Sequence, residues 1–531
     1  MFNVNHNQHT DLCFIGSGIS STFTLIHLLE NKLTDHIQAP LQVAIVEKFD
    51  EFYTGIPYGK RSGDSVLLIT SLKNFLPEPE YSKFISWLND HQTRLLIQME
   101  DSGGRLTTQW LEKHKERINQ QEWGELFIPR SFFGIYLKEK LNKLIKQHSS
   151  SGILKIQYIH AEVTEIKKNG QGYTISGDGL SLQSKKVILG IGSLPTHNIY
   201  TNKNVQQSSH LLAINQIYKP SLDKNLERIS KFTTKLHHSD KITNILIIGA
   251  NASALELLYK LNDTHNTVDT YSNYYFLSTH GLLPDCEVDY SKQADFIPIH
   301  LNKLQTHDSL TASQIAEAVK LDLDAADRIQ LGAASTVGII SKTFGSLFSK
   351  LDSYELKIFA CVYGNEIGRR QRCAGQHYLD VVEDLKSKGR FTHIKGRFKD
   401  LVEQKKGLYH LQFEDPKAKT NAVSEIPFHV VINCIGSTKF NSNTKQLPIL
   451  LKNIIDNGLA RPNASQIGLE VNSRLECSEN LHVIGPLLAG NIIDSKAVWH
   501  VEHCGRIIWL SKILANSIYK QIGTTTPINQ L

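Results

Sequence analysis

Asp11-Leu12-Cys13-Phe14-Ile15-Gly16-Ser17-Gly18-Ile19-Ser20-Ser21 opens the stretch that decides the fold, and Val43-Ala44-Ile45-Val46-Glu47 closes it. Leu12 to Ile15 is a short apolar run, the mark of a strand buried on both faces. Phe23, Leu25, Ile26, Leu28 and Leu29 then follow at helical spacing, and a second apolar strand ends on an acid. Strand, Gly-rich turn, helix, strand and acid is the order of a dinucleotide-binding unit. Gly16 permits the tight turn, and Gly18 lets the backbone approach a pyrophosphate at the helix N-terminus. Ser21 stands where a third glycine is usual and is small enough for helix to pack on strand. Glu47 is placed to accept hydrogen bonds from an adenosine ribose, with the polar stretch Lys32 to Pro40 lengthening the interval before it.

Outward from this unit, the pattern recurs. After a polar region from about Thr201 to Lys241, the strand-like Asn244 to Ile248 leads into Gly249-Ala250-Asn251-Ala252-Ser253-Ala254 and the helical run Leu255 to Leu261. Asn251 replaces the second glycine. Asn is the non-glycine residue that best tolerates a left-handed backbone, so the turn survives, although its side chain crowds a diphosphate. Gly249, Asn251 and Ser253 are thus candidates for a second nucleotide, beside the alternative of a Rossmann-like half that binds none. Two more apolar strands run into small residues, Val187 to Gly192 and Val430 to Gly436. They read as crossings where the chain passes between two nucleotide domains. Leu481 to Gly485 is a similar strand, followed by a final helix from about Ser495 to Ala515.

Composition bounds the rest. The 531 residues suit two or three domains, and 40% hydrophobic with 21% charged residues is ordinary for a chain that buries a large core. A formal net charge of +6 without a dense basic run gives no sign of a nucleic-acid partner. Seven scattered cysteines never fall as C-x-x-C, which argues against a disulfide framework, a zinc knuckle and a dithiol redox pair, and no metal site is expected. The first residues lack a secretory pattern and no apolar run approaches the length of a membrane span, so a soluble, cytoplasmic protein is expected.

Taken together these segments resemble the two-dinucleotide-domain flavoproteins, most closely FAD/NAD(P)-binding proteins related to flavin-dependent N-hydroxylating monooxygenases. Gly16-Ser17-Gly18 resembles the FAD fingerprint. Gly55-Ile56-Pro57-Tyr58-Gly59, Pro129-Arg130-Ser131-Phe132-Phe133-Gly134-Ile135-Tyr136-Leu137 and Gly281-Leu282-Leu283-Pro284 match more discriminating segments, and Gly458 to Arg461 and Gly485 to Leu487 match C-terminal ones. The resemblance implies an α/β architecture of two Rossmann-like domains. A discontinuous FAD domain would span residues 1–235 and 420–531. An NAD(P) domain would span 240–415, with a helical insertion at about 311–385. FAD and either NADPH or NADH are the implied cofactors. Thr279 and His280 stand where the family tends to carry arginines for the NADPH 2′-phosphate, which leaves the nicotinamide open. Arg369, Arg370 and Arg372 offer charge from elsewhere or form a solvated face.

Reduced flavin either passes hydride equivalents to an acceptor or reacts with oxygen to give a C4a-hydroperoxide that hydroxylates a substrate. The sequence contains neither C-x-x-C nor the F-x-G-x-x-x-H-x-x-x-W segment of Baeyer–Villiger relatives. The resemblance therefore favours hydroxylation of a small amine or amino-acid-like substrate. A flavin reductase or dehydrogenase, and a non-catalytic FAD-binding protein, are the alternatives. The catalytic candidates are Arg130, to orient flavin or substrate or else to pair with a structural carboxylate, and His500, to hold oxygenated flavin or shuttle a proton or else to fill the core. His503 and Glu502 lie beside His500. Tyr58 is expected near the isoalloxazine or as a fixture of its loop. Gly192, Gly436 and Gly485 line the nucleotide crossings.

Overall fold

The computed structural model describes residues 8–31, 39–170, 172–199, 209–237, 242–263, 272–286, 290–405, 407–442 and 447–523. Most of the polar stretch from Lys32 to Pro40 lies outside them, as do parts of the region from Thr201 to Lys241.

Two parallel sheets organise the chain. In the first, Gln8–Ile15 lies between Leu41–Glu47 and Leu180–Leu189, with Leu154–His160 beyond the former and Leu481–Val483 beyond the latter. Leu12, Cys13, Phe14 and Ile15 pair in register with Val43, Ala44, Ile45 and Val46, and all eight are buried, as expected of strands covered on both faces. Helix Ile19–Glu30 covers one face, with the last helix, Cys504–Gly523, packed along it.

The second sheet repeats the plan. Its order is Phe391–Lys395, Ser272–Ser278, Thr243–Ile248, Val430–Asn433 and Leu212–Ile214, all parallel. Each half also carries an antiparallel meander leading back to its sheet: Val163–Asn169 and Gly172–Gly177 before Leu180–Leu189 in one, and Arg397–Lys405, Leu408–Glu414 and Asn421–Phe428 before Val430 in the other.

The chain leaves the first sheet after Leu189, enters the second at the short edge strand Leu212–Ile214, and leaves the second after Asn433. The two passages between sheets run side by side, joined by a bridge of Thr196 with Ser437 and by Thr438 N–H donating to Pro195 O at 2.8 Å.

The insertion is helical, as its spacing predicts. Helix Ala312–Arg328 starts at a capping box of Thr311 with Gln314 and buries Ile315, Val319 and Leu323. It shares a separate core with Ile340, Phe344, Leu347 and Phe359. Helix Gln376–Ser387 belongs instead to the crossover between Ser272–Ser278 and Phe391–Lys395, and packs on helix Ala252–Asn262.

The C-terminal expectation needs correction. Asn491–Ile493 and Lys496–Val498 form a hairpin, and the final helix begins at Cys504 rather than near Ser495. The two-residue loop Asp494-Ser495 has φ of 47° and 59°, the positive pair of a type I′ turn. Neither residue is the glycine that usually signals such a turn.

Candidate nucleotide sites and the cleft between them

In the first turn, Gly16 has φ +87°, and a Cβ there would meet Gly190 O at 2.5 Å. Gly18 differs. Its φ of −65° suits any residue, and a Cβ would find only Gly55 Cα at 3.8 Å. Gly18 therefore keeps space open over helix Ile19–Glu30, whose first N–H groups carry no side-chain cap. Ser21 donates its hydroxyl to Gly16 O at 2.8 Å, close against Gly190, which explains why a small residue serves at the third position.

Glu47 is buried at the end of its strand. It accepts from Ser17 N–H (2.8 Å) and Ser17 Oγ (3.1 Å) on one oxygen and from the Lys48 and Phe49 N–H groups (2.9 and 3.2 Å) on the other. Four donors fill a carboxylate's capacity, so Glu47 here holds the turn in shape, and a ribose hydroxyl would exchange with one of them. Beyond it, Arg61 stacks 3.7 Å from the Phe49 ring centre and donates Nε–H to Tyr218 O. Its guanidinium is half-buried without a carboxylate partner among the described residues, and burial lowers its pKa while Glu47 raises it. Reading the sequence did not single it out, because a lone arginine in a loop carries no pattern.

The discriminating motifs touch one another. A Cβ on Gly134 would collide with Tyr58 O, so helix Arg130–Ser150 seats against the Gly55–Gly59 turn only through glycine. Tyr58 points into the core, T-shaped against Phe133, with its hydroxyl 3.3 Å from Cys504 Sγ. Tyr53, at φ +81°, accepts from Thr22 Oγ1 through its carbonyl and donates N–H to Ser17 Oγ, tying the loop to the first turn. Gly485 (φ +83°) closes against Ser20, whereas Gly192 and Gly436 face open space.

In the second turn Gly249 (φ +114°) lies against Cys434 O. Asn251 adopts φ −96° and ψ −172°, an extended conformation, so no left-handed tolerance is needed there. The second position of either turn demands room, not an unusual backbone. Asn251 donates Nδ2–H to Cys434 O at 3.1 Å, and its Oδ1 is buried with no donor. Ser253 lies half-buried in the first turn of the following helix. Where the first unit's second strand ends in Glu47, this one ends in Ser278, whose Oγ lies 2.8 Å from His393 Nε2. Exposed Lys395 pairs in register with Ser278 and also interacts with Asp415.

Helix Ala252–Asn262 faces the first domain with charges. Glu256 accepts from Arg130 Nη1 (2.6 Å) and from the Tyr218 hydroxyl (2.7 Å). One turn on, Lys260 donates to Ser65 Oγ and to Asp263, and Asp263 also accepts from the Gly104 and Thr107 N–H groups and the Thr107 hydroxyl. Arg130 thus belongs to a buried ion pair bridging the domains, the carboxylate partner considered above.

His500 lies in the loop between the hairpin and the last helix, with Nδ1 buried and unpartnered. Burial, reinforced by Arg506, Arg372 and His503, pushes its pKa down to about 3. His377, against Phe127, Tyr259 and Tyr378, is likewise pushed to about 3 by burial. Both rings are neutral in the folded protein. Because the unfolded state binds protons near pH 6.5 and the folded state does not, stability is full above about 6.5 and is lost as pH falls towards 3. Urea midpoints measured from about pH 7 to 4 will therefore fall less steeply for His377→Leu than for the wild type. Equal slopes would refute the buried neutral ring.

Among the described residues no helix is long and apolar enough to cross a membrane, and no group of three or more His, Cys, Asp or Glu could hold a metal ion.

Residues 13–194 match the sequence model of the FAD-NAD(P)-binding family. Over 514 residues the chain is 29% identical to an uncharacterized protein of Mycobacterium tuberculosis strain H37Rv, covering 96% of this chain and 95% of that one. Its Mycobacterium bovis counterpart matches equally. Among solved structures the chain is similar to reduced ornithine hydroxylase from Pseudomonas aeruginosa, with a TM-score of 0.51, 14% identity, and 97% and 100% of the two chains covered. It is also similar to the FAD-bound cadaverine monooxygenase of Erwinia amylovora (TM-score 0.52, 12% identity, 99% and 98% covered). L-lysine 6-monooxygenase from Pseudomonas syringae gives a TM-score of 0.51 at 12% identity, with 97% and 99% covered. At these identities the likeness is one of fold.

Proposed function

We propose, for a chain that carries an FAD-NAD(P)-binding segment on the fold of the two-dinucleotide-domain flavoproteins, that it hydroxylates a small amine or amino-acid-like substrate with FAD and NAD(P)H. The residues fit both nucleotides. Gly16 and Gly18 open the first helix N-terminus to a diphosphate, Glu47 fixes the turn, and Arg61 supplies a cation nearby. Gly249 in the second turn and Ser253 at the start of helix Ala252–Asn262 serve the second. A second strand ending without an acid, with Lys395 in register, supports NADPH as donor.

Bound FAD, once reduced by the nicotinamide, supplies dioxygen activation and oxygen transfer to the amine. The observation that favours oxygen over a disulfide as acceptor is the state of the thiols. All seven cysteines are free, and burial pushes the Cys434 and Cys504 thiols up to about 12, so no dithiol is poised to relay electrons.

The test is anaerobic titration of the flavin-loaded protein with NADPH and NADH, followed by oxygen in the presence of ornithine, lysine or cadaverine, the substrates named for its structural neighbours. Flavin bleaching followed by a hydroxylated amine is the expected result. Nicotinamide oxidation yielding only hydrogen peroxide with all three would favour the reductase reading, and a flavin that neither donor bleaches would favour a non-catalytic protein.

A further inference from the structure

At its outer edge the second sheet carries a pocket that neither nucleotide turn accounts for. It opens at the carboxyl end of the strand Leu212–Ile214 and has a volume of about 230 Å³. Its polar lining is Asn198, Asn215, Gln216, Lys219 and Arg228. In an open parallel sheet the dinucleotide crosses where the strand order reverses, here beside Gly249 at the end of Thr243–Ile248. Leu212–Ile214 lies two strands away from Thr243–Ile248, about 10 Å at the usual spacing.

The walls of the pocket are fixed from within. Asn225, fully buried in helix Leu222–His237, donates through Nδ2 to the Ile217 and Lys219 carbonyls at 2.7 and 3.1 Å. Those bonds shape the turn from Gln216 to Lys219, which Lys219 N–H closes on Gln216 O at 3.1 Å. The same amide accepts on Oδ1 from Arg228 Nη1 at 2.8 Å, so one buried side chain sets both the turn and the guanidinium. On the other side of the turn, Tyr218 donates its hydroxyl to Glu256 and receives Arg61 Nε–H on its carbonyl. A pocket held from both sides is formed before any ligand arrives.

The lining offers donors and no acid. Lys219 and Arg228 bring two positive charges to it, and among the described residues no carboxylate lies within ion-pair distance of either. Glu227, beside Arg228 in sequence, faces Lys231 instead, at 2.5 Å. Asn215 accepts Ile199 N–H on Oδ1 at 3.2 Å, which leaves its Nδ2 to donate. Arg228 gives Asn225 one of its five N–H donors and keeps the rest of the fork. A lone exposed arginine is ordinary. A positioned arginine fork, a lysine and an amide lining one pocket match the several oxygens and double charge of a phosphate. A volume below the ~300 Å³ at which pockets for larger ligands begin admits a phosphate carrying a few carbons and excludes a dinucleotide.

We propose that this pocket is a third anion site, separate from both dinucleotides, which receives a small phosphate monoester through Arg228, Lys219 and Asn215. It stands independently of the hydroxylase reading, since none of these residues belongs to either nucleotide turn.

The test is calorimetric titration of the flavin-loaded protein with glycerol 3-phosphate, inorganic phosphate and acetate, at about 0.15 M ionic strength to suppress diffuse surface attraction. Saturating NADP+ is present throughout, so that the second nucleotide turn is filled. Glycerol 3-phosphate and phosphate are expected to bind at a single site, with acetate weaker by roughly 10-fold or more. Arg228→Gln should weaken both phosphates by roughly 10-fold, the worth of a charged hydrogen bond, and Lys219→Gln by less. Lys231→Gln, on the same helix but outside the pocket, should change nothing. Unchanged flavin content and melting temperature show that each variant is folded. Glycerol 3-phosphate binding more tightly than inorganic phosphate supports the monoester, and the reverse order overturns that assignment. Phosphate binding seen only when NADP+ is left out overturns the proposal and gives the anion to the dinucleotide cleft. Equal losses in Arg228→Gln and Lys231→Gln overturn it as an effect of overall surface charge. Acetate binding as tightly as phosphate, or no saturable phosphate binding below about 10 mM, does so too.

Discussion

Gly16→Ala is expected to abolish FAD retention and to lower the thermal midpoint sharply, while Gly18→Ala abolishes FAD retention alone. The two glycines sit two residues apart in one turn, yet they are required for different reasons. At Gly16 the backbone is left-handed, and an added Cβ meets Gly190 O at 2.5 Å and Ile191 Cα at 3.1 Å. Those are main-chain atoms of a neighbouring strand end and cannot swing aside. A left-handed alanine costs about 1–2 kcal/mol and the overpacking about 1–3 kcal/mol more, a large part of a domain's stability. At Gly18 the backbone is ordinary and the space for a Cβ is free, so the ligand-free variant should melt within about 0.5 kcal/mol of the wild type. What its methyl group occupies is the approach of a diphosphate to the uncapped helix. Flavin absorbance after purification and a melting curve of each ligand-free variant decide the matter. Normal flavin content in Gly18→Ala would mean that the cofactor does not pass there.

Glu256→Gln is expected to destabilise the protein by about 3–5 kcal/mol, the range for removing one member of a buried ion pair. The variant leaves the Arg130 guanidinium buried against an uncharged amide. Burial would by itself lower the Arg130 pKa, but Glu256 turns the shift upward, which shows how far the pair depends on that carboxylate. Replacing both residues by apolar ones, as in Arg130→Met with Glu256→Leu, should return most of the stability, because two desolvation penalties vanish together. Guanidinium denaturation of the single and double variants gives the comparison. Flavin reduction by NADPH in the double variant adds a second readout. If the double variant is stable yet its flavin is no longer reduced, Arg130 acts on the reacting groups; if reduction persists, its work is to hold helix Ala252–Asn262 on the first domain.

The sheets were largely legible because buried parallel strands leave apolar runs and Gly-rich turns leave fixed spacings. Leu12 to Glu47 and Asn244 to Leu261 fold as their patterns indicate, and the insertion helix at Ala312 follows its 3.6-residue spacing. What escaped was set by tertiary contacts. The strand Leu212–Ile214 is three residues long and exists only by pairing with Val430–Ile432. The hairpin at Asp494-Ser495 uses two left-handed residues that rarely announce such a turn. At the sites, glycines were readable as motifs but not by their separate reasons. Glu47 was recognisable as the acid ending a strand, yet its four internal donors were not. Arg61 stands out only once burial is known, since the signal is a missing partner and a sequence cannot display an absence in space.

The nesting of one sheet inside the other sets an order of events during synthesis. The second sheet is complete when Asn433 has emerged, because all five of its strands then exist. The first sheet, though begun at the N-terminus, still lacks Leu481–Val483 against Leu180–Leu189, and its helix Ile19–Glu30 lacks the cover of Cys504–Gly523. The usual N-terminal-first order is therefore reversed. On the ribosome the earliest residues wait longest with an apolar helix face uncovered, and the flavin turn gains its final neighbours only when the last helix arrives.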